Sequence, residues 1–270
     1  MNRRTTGAPA GESTDERARG REAEEKARAV RHMFSAIAPS YDLLNHALSL
    51  NRDRAWRRAA IDRLLDGTGA GGLYLDTCAG TLDLARELAA RREFRGRVVA
   101  TDFAFDMLRR GLGKVQDLAL SCVCADTLHL PFADGIADGA TVGFGVRNLA
   151  SLEDGLRELA RVLRPGGRLV VLEFAVPARQ PFRAAYLFYF RRILPWIGRI
   201  VSRHGSAYAY LPASVMEFPS AEELARRMRA AGFEHVRWTT RTAGIVTVHV
   251  AERVAAAVTE PPRPAGLPRS

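Results

Sequence analysis

A carboxylate placed at the end of an apolar run constrains this chain more than any other feature. The stretch Leu73-Tyr74-Leu75 leads into a turn of small residues, Asp76-Thr77-Cys78-Ala79-Gly80-Thr81. About twenty residues later a second apolar run, Val98-Val99-Ala100-Thr101, ends at Asp102. Strand, glycine turn, helix, strand and acid in that order are how an α/β sheet holds a nucleotide-type cofactor. The turn lets backbone approach the ligand, and the acid accepts hydrogen bonds from ribose hydroxyls. The glycine pattern alone is weak, so the remaining residues must decide.

Hydrophobic periodicity extends the pattern. Ala27, Val30, Met33, Phe34 and Ile37 predict a helix over 23–37, stopped by Pro39. Trp56, Ala60, Ile61 and Leu64 share one face of a helix over 52–65. Alternation follows: strand 73–76, helix 82–92, strand 97–101, helix 104–114, strand 120–124 and strand 138–143. Helix 152–163, strand 168–174, an aromatic helical region over 182–202 and helix 220–231 come next. The chain closes with strands 233–240 and 245–251 around Gly244. Such alternation implies a parallel sheet with helices on both faces. The last two strands, joined without a helix, should pair antiparallel. The expected fold is α/β and Rossmann-like: seven strands, mostly parallel, with a terminal antiparallel strand, the architecture of class I methyltransferases. One domain is expected over 23–254, with 180–218 as an aromatic and basic lid. Residues 1–22 and the Pro-rich 255–270 read as tails.

Composition narrows the classes. The apolar fraction is 47%, ample for a core. No apolar run reaches the roughly 18 residues of a spanning helix. The N-terminus (Arg3, Arg4, Glu12, Asp15, Glu16, Arg17) lacks the apolar core of a signal peptide, so the cytoplasm is the expected location. The net charge is +10, nearly all arginine. No helix-turn-helix, zinc-finger or RNP signature accompanies it, and nucleic acid is not an expected partner. Cys78, Cys122 and Cys124 read as small buried residues, not metal ligands. His32, His46, His129, His235 and His249 show no metal spacing, and no metal is expected.

Longer segments carry a resemblance. Met33 through Asn45 (Met-Phe-Ser-Ala-Ile-Ala-Pro-Ser-Tyr-Asp-Leu-Leu-Asn), Gly145-Val146-Arg147-Asn148-Leu149, Arg161 through Arg168 followed by Leu172-Glu173-Phe174, and Ala207 through Ser214 with Phe218-Pro219 stand in order along the chain. Together they resemble the quinone-biosynthesis C-methyltransferases, over roughly residues 28–252. The resemblance implies S-adenosylmethionine as cofactor. It implies demethylmenaquinol or the ubiquinol precursor as acceptor, and a cytoplasmic enzyme touching the inner face of the cell membrane. It leaves room for a homodimer. The Tyr208–Pro219 segment leans towards the menaquinone branch.

The resemblance also distributes roles. Asp76, Gly80 and Thr81 should form the cofactor turn, Asp102 should hold the ribose, and Phe103 should pack on adenine. Asp126 and Thr127 should read the adenine edge, and Gly143 should let backbone approach the sulfonium. Arg147 and Asn148, just beyond a strand end where such sheets bind ligands, should face the acceptor, and Arg147 should either stabilise its phenolate or organise a water that takes the proton. Tyr41 and Asp42 should close over the ring, with Tyr208 and Tyr210 as walls or hydrogen-bonding groups. Each of these types also has an ordinary use: a helix cap for Asp102, a surface ion pair for Arg147, packing for the tyrosines. His204, in Arg203-His204-Gly205, reads as an exposed loop histidine and not as the base.

One position departs from the pattern. The family's turn reads Gly-Thr-Gly-Asp, whereas this chain has Gly80-Thr81-Leu82-Asp83. Leucine resists positive φ and takes up room. Either Leu82 points away as the first residue of the following helix, or cofactor binding is weakened. Two alternatives therefore stand beside quinol methylation: another small aromatic acceptor, and a non-catalytic scaffold. The stretch Phe182–Ile200 alternates Tyr186, Phe188, Tyr189, Phe190, Leu194, Trp196 and Ile197 with Arg183, Arg191, Arg192 and Arg199. It reads as a lid that also offers an apolar mouth to a prenyl tail and arginines to anionic headgroups.

Overall fold

A computed structural model describes residues 14–49, 51–67, 71–193 and 205–254. Its centre is a seven-stranded sheet in the order β3-β2-β1-β4-β5-β7-β6. The strands are β1 (Leu73–Thr77), β2 (Arg97–Asp102), β3 (Leu120–Cys124), β4 (Ala137–Gly143), β5 (Leu163–Phe174), β6 (Phe233–Arg241) and β7 (Val246–Arg253). All pairings are parallel except those of β7, which runs antiparallel to both neighbours. The expected terminal hairpin is therefore present, and its last strand inserts between β5 and β6.

Helices cover both faces. The first group is α1 (Thr14–Ile37), α2 (Tyr41–Leu48), α3 (Asp53–Leu65), α4 (Asp83–Ala89) and α5 (Phe105–Leu112). The second is α6 (Leu152–Val162), α7 (Phe182–Phe188), α8 (Gly205–Glu217) and α9 (Ala221–Ala230). One core packs Leu156, Leu159, Leu224 and Met228 against Leu75 and Val171. The other packs Trp56, Ile61, Leu64, Leu84 and Leu88 against Tyr74, Val98 and Val170. Ser151 and Ser220 cap α6 and α9 by accepting from the N–H groups of Asp154 and Glu223, each at 3.2 Å. The C-terminus of α3 is held by Arg168, whose Nη1 donates to the main-chain oxygens of Arg63 and Asp66, while Nη2 meets Glu252 at 3.0 Å.

Several boundaries differ from the sequence reading. Helix α1 begins at Thr14, inside the stretch read as a tail. Its first turns have no apolar stripe, which is why residues 14–22 read as a tail. Pro39 does not end the helical region: it sits in a 3₁₀ turn, Ala38–Ser40, from which α2 continues. The lid is also divided. After α7 comes a π turn at Tyr189–Ile193, and α8 is a separate helix with Pro212 inside it. His204, residues 194–200 and the 255–270 tail lie outside the described residues. The cysteines are less buried than expected. Cys124 is exposed and Cys122 half-buried because β3 is the sheet edge, and Cys78 lies in the turn.

Candidate active site

The C-terminal ends of β1, β2, β4 and β5 meet at three adjoining cavities. A narrow cleft of about 50 Å³ is walled by Gly80, Asp102, Phe103, Asp126, Thr127 and Asn148, with Ala27, Phe34 and Tyr41 closing it from α1 and α2. A second cleft, about 30 Å³, lies against the turn, between Arg57, Asp76, Thr81, Asp83 and Gly143. The third is an apolar cavity of about 420 Å³ bounded by Trp56, Phe174, Tyr186, Tyr189, Phe190 and Arg147, among others. Tyr41 and Phe144 line all three.

Asp102 ends β2 and is 7% exposed. Its Oδ2 accepts from the Gly80 N–H and its Oδ1 from the Ala104 N–H, both at 2.8 Å. The acid thus fixes the glycine turn and the entry to α5 together. Burial pushes its pKa up to about 6, against the pull of those two donors. Asp76 lies fully buried under the turn. Thr141 donates its hydroxyl to Asp76 Oδ1 at 2.7 Å, while Oδ2 has no hydrogen-bond partner within bonding distance among the described residues. Burial raises Asp76 to about 7.

The turn itself is left-handed at alternate residues: Cys78 (φ 53°), Gly80 (φ 54°) and Leu82 (φ 68°). Leu82 therefore takes the conformation that a glycine would take without strain. It is the residue before α4, not the first residue in it. Its side chain is fully buried in the core with Trp56, Leu84 and Leu88. It does not line any of the three cavities.

Thr81 and Asp42 meet directly: the Thr81 hydroxyl donates to Asp42 Oδ1 at 2.5 Å. Lys114 bridges Asp42 Oδ2 and Asp83 Oδ1, each at 2.7 Å, and Arg57 lies 3.3 Å from Asp83. Burial would raise the pKa of Asp42, but hydrogen bonds from Lys114 and Thr81 hold it below the ordinary value. This network ties α2 to the left-handed turn after β1. In the adjoining cleft the Thr127 hydroxyl lies 3.4 Å from Cys78 Sγ, and Asp126 accepts from the Leu128 N–H at 3.0 Å. Phe103 carries the Arg31 guanidinium 5.2 Å from its ring centre. Gly143 packs closely on α4: a Cβ there would lie 2.9 Å from Leu84 Cδ2, so that methyl would have to shift.

Arg147 follows β4. Its Nη1 donates to Glu173 Oε1 and to the Phe144 main-chain oxygen, each at 2.6 Å, and its guanidinium stands 5.5 Å from the Phe174 ring centre. Asn148 donates to the same Phe144 oxygen at 3.3 Å and accepts from the Tyr210 hydroxyl at 3.1 Å, pinning α8 to this loop. Burial raises the Tyr41 and Tyr210 phenols, so neither is charged near neutrality. Tyr208 lies on α8, and its side chain is outside the described ones. Sequence reasoning missed Arg57 and Phe144 and gave Glu173 no role, whereas Tyr186, read as part of the lid's apolar mouth, does line the large cavity. Glu173 carried a usable signal: one carboxylate closing the apolar run Leu169–Leu172 must be buried with a partner.

Residues 21–253 match the ubiE/COQ5 methyltransferase family. A demethylmenaquinone methyltransferase of Thermus thermophilus is 47% identical over 223 residues, covering 82% of this chain and 100% of that one. The ubiquinone/menaquinone biosynthesis C-methyltransferase UbiE of Geotalea uraniireducens is 42% identical over 233 residues, covering 85% and 98%. Among solved structures, a SAM-dependent methyltransferase of Thermotoga maritima is similar in fold, with a TM-score of 0.56 at 18% identity over 83% of this chain and 99% of that one. So is phosphoethanolamine N-methyltransferase 2 of Haemonchus contortus, solved with S-adenosyl-L-methionine, with a TM-score of 0.56 at 14% identity over 74% and 52%. The residues fit that cofactor. An acid stands at the end of β2, an aromatic ring follows it, and a left-handed turn adjoins a buried carboxylate, one oxygen of which has no partner within bonding distance among the described residues.

Proposed function

The chain belongs to the ubiE/COQ5 methyltransferase family, and on that premise we propose that its acceptor is demethylmenaquinol, held with its ring against Arg147 and its prenyl tail along the aromatic wall of the large cavity. Family membership makes it a SAM-dependent C-methyltransferase of quinone biosynthesis. S-adenosylmethionine, when bound, supplies a methyl group on a positively charged sulfur.

The protein's part is to make a ring carbon nucleophilic. Loss of a phenolic proton spreads negative charge onto the oxygen and the adjacent carbon. Arg147 is a cation, buried at the junction of strand ends, on the wall of the cavity that would take the ring. There it stabilises the phenolate more than the neutral phenol, which is what accelerates the step. Apolar walls from Phe144, Phe174 and Trp56 exclude water and strengthen that interaction. The position of Arg147 is the single observation that carries this reading. Leu82 no longer argues for a scaffold, because its side chain is turned into the core.

The outer side of the lid suggests where a lipid quinol would enter. Phe182 and Phe188 of α7 are 60% and 61% exposed, beside exposed Arg179, Arg183 and Arg192. Phe182 also lines the cavity. We place this face on the anionic inner surface of the membrane. No helix among the described residues is long and apolar enough to cross a bilayer.

The test is calorimetry with S-adenosylmethionine, followed by turnover on demethylmenaquinol, its ubiquinone counterpart and tail-free aromatic acceptors. Preference for demethylmenaquinol supports the reading. Faster turnover of a tail-free acceptor would replace it.

A further inference from the structure

The large cavity is aromatic along α7 but turns polar where α2 meets α3, at Asn45, Ser49, Asp53 and Arg57. Asp53, only 2% exposed, is the hub of this patch. Arg57 Nη1 donates to its Oδ2, and His46 Nδ1 lies 2.8 Å from the same oxygen. Its Oδ1 accepts from the Ser49 hydroxyl at 2.7 Å. Burial would raise the pKa of Asp53, but the Ser49 hydrogen bond and the charge of Arg57 hold it below the ordinary value. Asp53 is therefore ionised at neutrality.

A serine hydroxyl has one hydrogen and two lone pairs. In Ser49 that hydrogen goes to the carboxylate, a stronger acceptor than the neutral His46 main-chain oxygen at 3.3 Å. Ser49 is half-buried on the cavity wall, so what it offers an occupant is a lone pair. It takes a hydrogen bond from an O–H group and gains nothing from an ether or carbonyl oxygen. Neighbouring polar groups are already engaged: Trp56 Nε1 donates to Thr242 at 2.8 Å, and the Asn45 side chain is hydrogen-bonded to that of Tyr41. Tyr41 also feels the charges of both Arg147 and Arg57, so the Arg147 end of the cavity and this patch lie close to one side chain.

We propose that Ser49 accepts a hydrogen bond from the second hydroxyl of the acceptor ring, the one not ionised at Arg147, and that Asp53 makes Ser49 an acceptor by holding its hydrogen. The cavity thereby selects a hydroquinone over a monophenol of the same shape. This rests on the reading that the acceptor ring lies against Arg147. Ser49 touches the acceptor, and Asp53 is a positioning residue that acts through it. No covalent bond is made or broken at this patch.

The test compares three tail-free ligands by calorimetry on the full-length protein, with oxygen excluded. They are 1,4-dihydroxynaphthalene, 1-naphthol, which lacks the second hydroxyl, and 4-methoxy-1-naphthol, which keeps that oxygen without its hydrogen. Wild type should bind the diol roughly tenfold more tightly than either monophenol, the weight of one shielded hydrogen bond. Ser49→Ala should bring the diol down to the level of 1-naphthol and leave 1-naphthol unchanged. With demethylmenaquinol the loss should appear in KM, with kcat held. In Asp53→Asn the amide oxygen stays with Arg57 and the amide nitrogen faces Ser49, which frees the Ser49 hydrogen. The methoxy ligand should then bind more tightly than 1-naphthol, a reversal that a general loosening of α3 does not produce. An unchanged diol preference in Ser49→Ala overturns the proposal, while the ring placement stands if Arg147→Ala weakens all three ligands. A ligand order that Asp53→Asn leaves as it was removes Asp53 from the proposal. Should that variant fail to fold, Ser49→Ala decides alone. A diol that does not bind wild type overturns both this inference and the placement of the ring, as do affinities that neither Ser49→Ala nor Arg147→Ala alters.

Discussion

Leu82 and Gly111 form a matched pair: a Cβ on Gly111 would lie 2.5 Å from Leu82 Cγ. The glycine in α5 therefore makes the space into which the leucine of the turn after β1 is folded. Leu82→Gly should relieve left-handed strain of about 1–2 kcal/mol. It should also empty a fully buried leucine site, which costs about 2–5 kcal/mol. The net expectation is a less stable protein with unchanged S-adenosylmethionine affinity, read by thermal melting and calorimetry. Tighter cofactor binding would mean that leucine does hinder the turn.

Asp102 sets opposite demands on stability and binding. Its folded pKa of about 6 stands above the ordinary 3.8, so the free protein gains from its protonation. The associated stability is fully present below pH 3.8 and lost as pH rises through about 6. Ribose hydroxyls need the ionised form as acceptor. Cofactor affinity should therefore fall below about pH 6, approaching tenfold per pH unit. Asp102→Asn should weaken the cofactor strongly and also lower the melting temperature of the free protein, because the amide can accept from only one of the Gly80 and Ala104 N–H groups and faces the other with a donor, a loss of about 1–3 kcal/mol. A flat affinity between pH 5 and 7 would remove the ribose role.

Arg147→Ala separates acceptor chemistry from cofactor binding. It leaves Glu173 buried without its cation, which costs about 3–5 kcal/mol unless Glu173 protonates. The variant should melt earlier and recover stability on acidification, while binding S-adenosylmethionine as wild type does and losing turnover. Retained turnover would clear Arg147 of its role.

The sheet was legible because β1, β2, β5 and β7 read as short apolar runs between turn signals, and Asp102 pointed to the end of the sheet where the cavities lie. What escaped the sequence was decided by distance. Nothing local to Leu172-Glu173-Phe174 shows that Glu173 reaches Arg147, because that pairing depends on β4 and β5 lying side by side. Helix α2 escaped because Pro39 reads as a stop, whereas a 3₁₀ turn accommodates it. Thr81 was read towards the cofactor, and its bond to Asp42 needs α2 folded over the turn. The Leu82 conformation could be posed from sequence but not resolved, since the pocket that takes its side chain is built by α3, α4 and Gly111 of α5.

The exposed face of α7 yields the last prediction. Phe182 and Phe188 stand out beside Arg179 and Arg183 at the lip of the large cavity. Two insertable rings give an area term that salt does not screen, and the arginines give an attraction to anionic lipid of about 1 kcal/mol each near the surface. Binding to vesicles containing phosphatidylglycerol should exceed binding to neutral vesicles, and the difference should fade as salt shortens the Debye length. Phe182→Ser with Phe188→Ser should abolish binding to both kinds of vesicle. Arg179→Gln with Arg183→Gln should remove only the anionic preference. A tail-free acceptor should be turned over equally by all of these variants if the acceptor ring stands against Arg147, as proposed, away from the lip. Vesicle binding unchanged in the double phenylalanine variant would show that the quinol enters by another face.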